Sequence, residues 1–328
     1  MEVIASSPGK TILFGEHGVV YGKKALAVAI SPRVRAKVSS NDSLGVNVKS
    51  EALNLNHLST YNSQTKKWAP TPPDMLTSIY VAIENIGKET GNIDLMNNLL
   101  LEITSDLPVG SGVGSSAATA TATLAALNQW WGTNLSLEKI SELAFLSEEI
   151  THGKPSGIDN TVSTFGGLIS FEDGTIESYS LSYSLPLVVA DSGVPKQTSL
   201  QVQKVITMKQ QKPEIVAEIL DEMHELSERA IPAIQNKNLK TLGDLMNLNH
   251  ELLVSLGVSH EKLDSLCEIA RKAGAVGAKL TGAGGGGTII ALAQSFNDVE
   301  TIVKALKLEG ATIISSEISI EGVKIEQY

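Results

Sequence analysis

The sequence predicts an α+β chain built as two domains, residues 1–184 and 185–328, and three observations carry that expectation. A strand-like stretch, a glycine-rich loop and a small-residue helix follow one another between residues 99 and 132. Composition changes near residue 184, after which residues 199–273 read as mostly helical, with breaks at Pro213, Asn236 and Gly257. A second glycine-rich stretch, residues 282–287, then opens directly into a strand. The chain of 328 residues is long enough for two ordinary domains, and a hydrophobic content of 42% supports substantial cores.

Taken in order, residues 2–7 read as a strand entering Pro8-Gly9-Lys10, and the apolar run 11–14 leads into Gly15-Glu16-His17-Gly18. Lys10, Glu16 and His17 are polar residues set among apolar ones near glycines, within eight positions, which marks them as candidates for a site. Residues 25–30 form an apolar run, residues 33–38 and 45–48 alternate as strands do, and the remainder to residue 61 reads as polar loop. Asp74 is placed to cap a helix with Leu76, Ile79, Ile83 and Ile86 on one face.

Residues 99–104 alternate apolar and polar. The loop behind them contains Pro108, Gly110, Ser111, Gly112, Val113, Gly114, Ser115 and Ser116, and the helix that follows ends at Gly132. Glycine tolerates φ > 0 and carries no Cβ, so such a loop can turn successive N–H groups toward one point, where the positive helix end also aims. The combination suits phosphate, and Ser115 and Ser116 stand where a hydroxyl can reach a phosphate-bound Mg²⁺. Two known nucleotide motifs fail. Gly9-Lys10-Thr11 has Ile4 where a P-loop needs its first glycine, and the Gly110–Gly114 spacing does not match the dinucleotide fingerprint.

Residues 136–152 form an amphipathic helix with Glu148 and Glu149 off its apolar face, and periodicity alone does not choose between them. The turn 152–157 precedes Asp159, which either stabilises the turn or is held toward a cleft. Strands are expected at 165–171, 185–190, 289–293, 312–319 and 323–327, and a last helix at 298–308. A net charge of −10 without long basic runs argues against nucleic acid as a partner. The single cysteine, Cys267, excludes an intramolecular disulfide and a cysteine metal cluster. No run approaches the ~18 apolar residues of a membrane span, and no signal-peptide pattern opens the chain, so a soluble cytoplasmic protein is expected.

Three segments in this order, Pro8 to His17, Pro108 to Ala118 and Lys279 to Gly287, resemble the superfamily of galactokinase, homoserine kinase, mevalonate kinase and phosphomevalonate kinase, the GHMP kinases. The resemblance spans essentially the whole chain. Within the superfamily the chain is most similar to the mevalonate kinases: galactokinases usually follow Gly-Glu-His with Thr-Asp-Tyr, where this chain has Gly18-Val19-Val20-Tyr21, and phosphomevalonate kinases tend to carry tyrosine at the place of His17. Ser111 departs mildly from the alanine of many relatives.

The resemblance implies a mixed-sheet N-terminal domain, a helix-rich, ferredoxin-like C-terminal domain and an active site in the cleft between them. It implies ATP and Mg²⁺ as cofactors, mevalonate as acceptor at its 5-hydroxyl, and a homodimer, which nothing in the residues themselves requires. Lys10 matches the family lysine between the γ-phosphate and the acceptor hydroxyl, and Asp159 the proposed catalytic base. Ser116 matches one Mg²⁺ ligand, and Glu148, eleven residues before Asp159, the other. Glu16 and His17 match residues of the mevalonate pocket, and Gly282, Ala283, Gly284 and Gly285 the segment that closes over the phosphates. The alternatives are another small-molecule kinase of the superfamily, acting on the 3-hydroxyl of mevalonate, on phosphomevalonate or on a sugar, and a nucleotide-binding sensor without catalysis.

Overall fold

A computed structural model describes residues 2–91, 93–108, 110–152 and 156–326. Val109, the loop residues Gly153, Lys154 and Pro155, and Gln327 of the expected last strand lie outside the described residues. In chain order the elements are β1 (Glu2–Phe14), β2 (Ala25–Ser40), β3 (Val46–Ser50), β4 (Leu55–Asn62), β5 (Lys67–Ala69), α1 (Thr77–Glu89), β6 (Leu99–Ser105), α2 (Ser115–Trp131), α3 (Leu137–His152), α4 (Ile158–Phe165), β7 (Leu168–Glu172), β8 (Thr175–Tyr179), β9 (Leu187–Asp191), α5 (Thr198–Gln211), α6 (Pro213–Gln235), α7 (Leu239–Ser255), α8 (Glu261–Lys272), β10 (Ala275–Leu280), β11 (Thr288–Ala293), α9 (Phe296–Leu308), β12 (Thr312–Ser315) and β13 (Lys324–Ile325). The chain forms two compact units, and neither is continuous in sequence: one holds residues 1–10, 32–166 and 321–328, the other residues 11–31 and 167–320.

In the first unit β6 lies parallel to β3 and antiparallel to the second half of β2, while β4, β5 and β13 add antiparallel neighbours, so the sheet is mixed. Leu99, Leu101 and Ile103 of β6 are buried and the residues between them are not, as the alternation predicts. Helix α2 is buried almost all round from Ala117 to Leu127. Its alanines and threonines leave room for α1, α3 and α4, all of which pack on it. Gly132, at φ 63°, closes α2 in the left-handed conformation and returns its N–H to the carbonyls of Asn128 and Gln129.

In the second unit β9, β10, β11 and β12 form an antiparallel sheet in the order β10-β11-β9-β12. With the helices α5–α8 after β9 and α9 after β11, this is the ferredoxin-like order that the family resemblance implies. Leu263, Leu266 and Cys267 of α8 join Val188, Leu280 and Ile289 in one core. Helix α7 reaches β10 through glycines: a Cβ on Gly277 would meet the Gly243 carbonyl oxygen at 2.4 Å. Among the described residues no helix is long and apolar enough to cross a membrane.

Several sequence expectations are corrected. The stretch read as polar loop contains most of β4, and β5 and β8 form where no strand is expected. These strands bury few side chains, so their sequences carry no apolar alternation to detect. Asp74 opens a short 3₁₀ turn, Asp74–Leu76, and makes no capping bond to α1. Phe165 belongs to α4 rather than to a strand, and Asp159, just past the expected turn, sits in the first turn of that helix.

Candidate active site

Chemistry-bearing residues gather in two places, one in each unit. In the first unit, Lys10 leaves β1 beside the glycine loop and donates its backbone N–H to the Val113 carbonyl at 2.7 Å. Gly110, Gly112 and Gly114 all have φ near +75°, at 76°, 71° and 77°. Gly114 is the N-cap of α2 and no side chain caps that end, so the N–H groups of the first turn remain available to an anion. Ser111 is buried and bonds back to the Pro108 carbonyl at 2.8 Å, which holds the loop in shape.

A cavity of about 430 Å³ opens at this point. Its walls include Gly110, Gly112, Gly114, Ser115 and Ser116 from the loop and helix, Glu148 from α3, and Asp159 and Asn160 from α4. Lys10 Nζ lies 3.1 Å from Asp159 Oδ1, with Lys10 mostly buried and Asp159 about one-third exposed. Two reciprocal bonds fasten α4 to β1 and so set that distance: Ser7 Oγ donates to the Ser163 carbonyl at 2.8 Å, and Ser163 Oγ donates to the Pro8 carbonyl at 3.1 Å. Asn160 fastens α4 to α3 by donating to Ser141 Oγ at 2.9 Å and to its carbonyl at 3.1 Å.

The donor set suits a hard cation held partly by a ligand. Glu148 is buried and faces the cavity, whereas Glu149 is exposed. Ser116 Oγ is buried and makes no hydrogen bond among the described residues. No group of three His, Cys, Asp or Glu side chains that could form a metal cage occurs among the described residues. One carboxylate and one hydroxyl beside an anion site match Mg²⁺, which keeps waters and phosphate oxygens in its shell, better than they match a metal needing a full protein cage.

In the second unit the turn after β1 is shaped by Gly15, at φ 87°, where a Cβ would strike the Ala25 backbone at 2.4 Å. His17 follows in the left-handed region at φ 61° and donates from Nε2 to the Ala283 carbonyl at 2.9 Å. Burial holds the His17 imidazole below its usual range, against the smaller opposing pull of that bond and of Glu16. Glu16 forms an ion pair with Lys279, both side chains fully buried. The glycines of residues 284–287 approach their own chain closely: a Cβ on Gly284 would fall 2.0 Å from the Val258 carbonyl oxygen, and one on Gly286 2.7 Å from that of Val194. Gly282 meets nothing within 4 Å.

Sequence reasoning missed Lys279, Ser7, Ser163 and Asn160. A lysine at an otherwise buried position of β10 is a signal that could have been read. The small polar residues look like any others until their partners are known.

The comparisons with known proteins agree with this architecture. The family model for the GHMP kinases N terminal domain matches residues 77–167, and that for GHMP kinases C terminal matches residues 230–312. The mevalonate kinase of Thermococcus sibiricus is 39% identical over 336 residues, covering 99% of each chain. Among solved structures, L. major mevalonate kinase in complex with R-mevalonate is 31% identical, with a TM-score of 0.80 over 96% of this chain and 95% of that one. The Methanococcus jannaschii mevalonate kinase is 27% identical, with a TM-score of 0.84 over 100% and 99% of the two chains. The fold is that of a two-domain GHMP kinase. Within that class, the chain belongs to the mevalonate kinase family.

Proposed function

We propose that this chain transfers the γ-phosphoryl group of ATP directly to the 5-hydroxyl of mevalonate. The observation that carries the reading is the Lys10–Asp159 pair, at 3.1 Å, beside an anion-binding loop and helix end. Phosphoryl transfer asks a protein mainly to position the reactants and neutralise developing charge. The Gly110–Gly114 loop and the first turn of α2 receive the β- and γ-phosphates. Lys10 stabilises charge on the transferring group. Asp159 accepts the proton of the acceptor hydroxyl or orients that hydroxyl in line with the phosphorus.

Ser116 and Glu148 are the residues that would hold Mg²⁺, and bound there the ion supplies positive charge to the phosphate oxygens. Glu16 and His17 are assigned to the acceptor, and Gly282, Ala283, Gly284 and Gly285 to the phosphates, on the resemblance of their motifs. The same resemblance supports a homodimer, tested by light scattering, and a cytoplasmic location, tested by fractionation.

The test is ADP release from ATP and Mg²⁺ with mevalonate, phosphomevalonate, galactose and homoserine side by side, the product being located by phosphorus NMR. Mevalonate 5-phosphate is the expected product. Phosphate at the 3-hydroxyl would overturn the acceptor assignment, and ATP binding without turnover of any acceptor would overturn the enzyme reading.

A further inference from the structure

We propose that Lys279 is a positioning residue for the acceptor: it grips one oxygen of Glu16 and thereby presents the other, Oε2, to a hydroxyl of the substrate. The proposal rests on the reading above that Glu16 faces the acceptor.

Lys279 belongs to β10 and has no exposed surface. Its ammonium donates to Glu16 Oε1 and, at 2.8 Å, to the Leu280 carbonyl. Burial lowers its affinity for the proton, and Glu16 works in the opposite direction. A charge pair withdrawn from water adds little net stability compared with a well-packed apolar pair, so a pair at zero exposure points to a use other than stability.

The second oxygen shows what that use is. Glu16 Oε2 is buried and has no hydrogen-bond partner among the described residues. A buried carboxylate oxygen in that condition is a strong acceptor for an O–H donor. Its negative charge would repel the carboxylate of a hydroxy acid, so the group it takes is a hydroxyl.

Lys279 is not needed merely to hold the turn in place. Thr11 Oγ1 lies 3.1 Å from Thr281 Oγ1, and Thr281 Oγ1 donates to the Ile12 carbonyl at 2.7 Å. His17 Nε2 donates to the Ala283 carbonyl at 2.9 Å. These neutral bonds already tie residues 11–17 to residues 281–283, leaving Lys279 to fix the charge and direction of one carboxylate.

The experiment is a double-mutant cycle with Glu16→Gln and Lys279→Met, reading kcat, the KM of each substrate and thermal stability. Lys279→Met is expected to raise the KM for mevalonate roughly ten- to hundredfold, the range of a charged hydrogen bond, with the KM for ATP within about twofold. In the Glu16→Gln background the same change should add nothing to the mevalonate KM, because Lys279 acts through Glu16. Multiplying effects, or lost stability with an unchanged mevalonate KM, would overturn the proposal.

If Lys279→Met alone does not fold, Glu16→Gln and the double variant carry the comparison. The double variant has no charge at the pair, and the lysine left by Glu16→Gln can shed its proton. A double variant with a mevalonate KM well above that of Glu16→Gln overturns the proposal. If the wild-type enzyme turns over a different acceptor from the panel, the function reading fails, and the same cycle is read on that acceptor's KM.

Discussion

Gly114→Ala separates the glycine loop's conformational role from its role in placing Lys10. Gly114 has φ +77°, and a Cβ there would sit 2.8 Å from Lys10 Cγ and 3.4 Å from Lys10 Cε. The left-handed backbone costs an L-residue about 1–2 kcal/mol. Carbon atoms pack best at roughly 3.5–4.0 Å, so the lysine stem must retreat by about 1 Å. The lysine is flexible and yields cheaply, but its ammonium is the group held 3.1 Å from Asp159. A displacement of about 1 Å at a reacting group costs on the order of a hundredfold in rate. Gly132→Ala is the control: Gly132 has φ +63°, caps the far end of α2 and has no atom within 4 Å of its Cβ position. Both variants should lose about 1–2 kcal/mol in urea unfolding. Only Gly114→Ala should also lose about a hundredfold in kcat, measured by coupled ADP release. Equal kcat in the two variants would refute the idea that this wall of the loop holds Lys10 in place.

Four further outcomes are expected. Asp159→Ala should lower kcat by about 10²–10⁴ while leaving ATP binding near normal, checked by steady-state kinetics and nucleotide titration. Ser116→Ala should raise the Mg²⁺ concentration needed for half-maximal rate, and an unchanged metal dependence would move that role to Ser115 or to Glu148 alone. Glu148→Gln should be far more damaging than Glu149→Gln, because Glu148 faces the cavity and Glu149 faces solvent; equal damage would undo the assignment. His250, whose Nε2 lies 3.3 Å from Asp264, is pushed down to about 4, chiefly by burial. Its folded value lies below its unfolded one. The stability it contributes is therefore complete above about pH 6.5 and lost as pH falls toward about 4, a swing of roughly 3 kcal/mol. His250→Asn can still accept from the Leu280 N–H, the partner of Nδ1 at 3.3 Å, and should flatten that part of the dependence in urea melts between pH 7 and 4.5.

Much of the first unit's site was legible because it is local in sequence. Residues 110–116 carry the glycines, the serines and the start of α2 in one run, and short-range backbone sterics dictate what such a run can do. Glu148 is different. Periodicity left it level with Glu149, family spacing favoured it, and burial against the cavity now separates the two. The composition shift near residue 184 suggested where the chain divides. Contacts instead group residues 11–31 and 167–184 with the second unit, a division that no local composition can reveal because it depends on strands that meet from distant parts of the chain.

The sequence by itself determined the long helices of both halves, the strands with one buried face, the phosphate-type loop and the residue types of a phosphoryl-transfer site. These follow from side-chain periodicity and backbone freedom, which act over a few residues. Only the tertiary structure decided that Lys10 meets Asp159, that Ser7 and Ser163 fasten their elements together, that Asn160 bridges α4 to α3, and that Glu16 is paired with a buried lysine 263 residues away. Those pairings depend on desolvation and hydrogen-bond geometry between groups brought together by the packing of sheets and helices, and no property of either partner's neighbours in sequence encodes them.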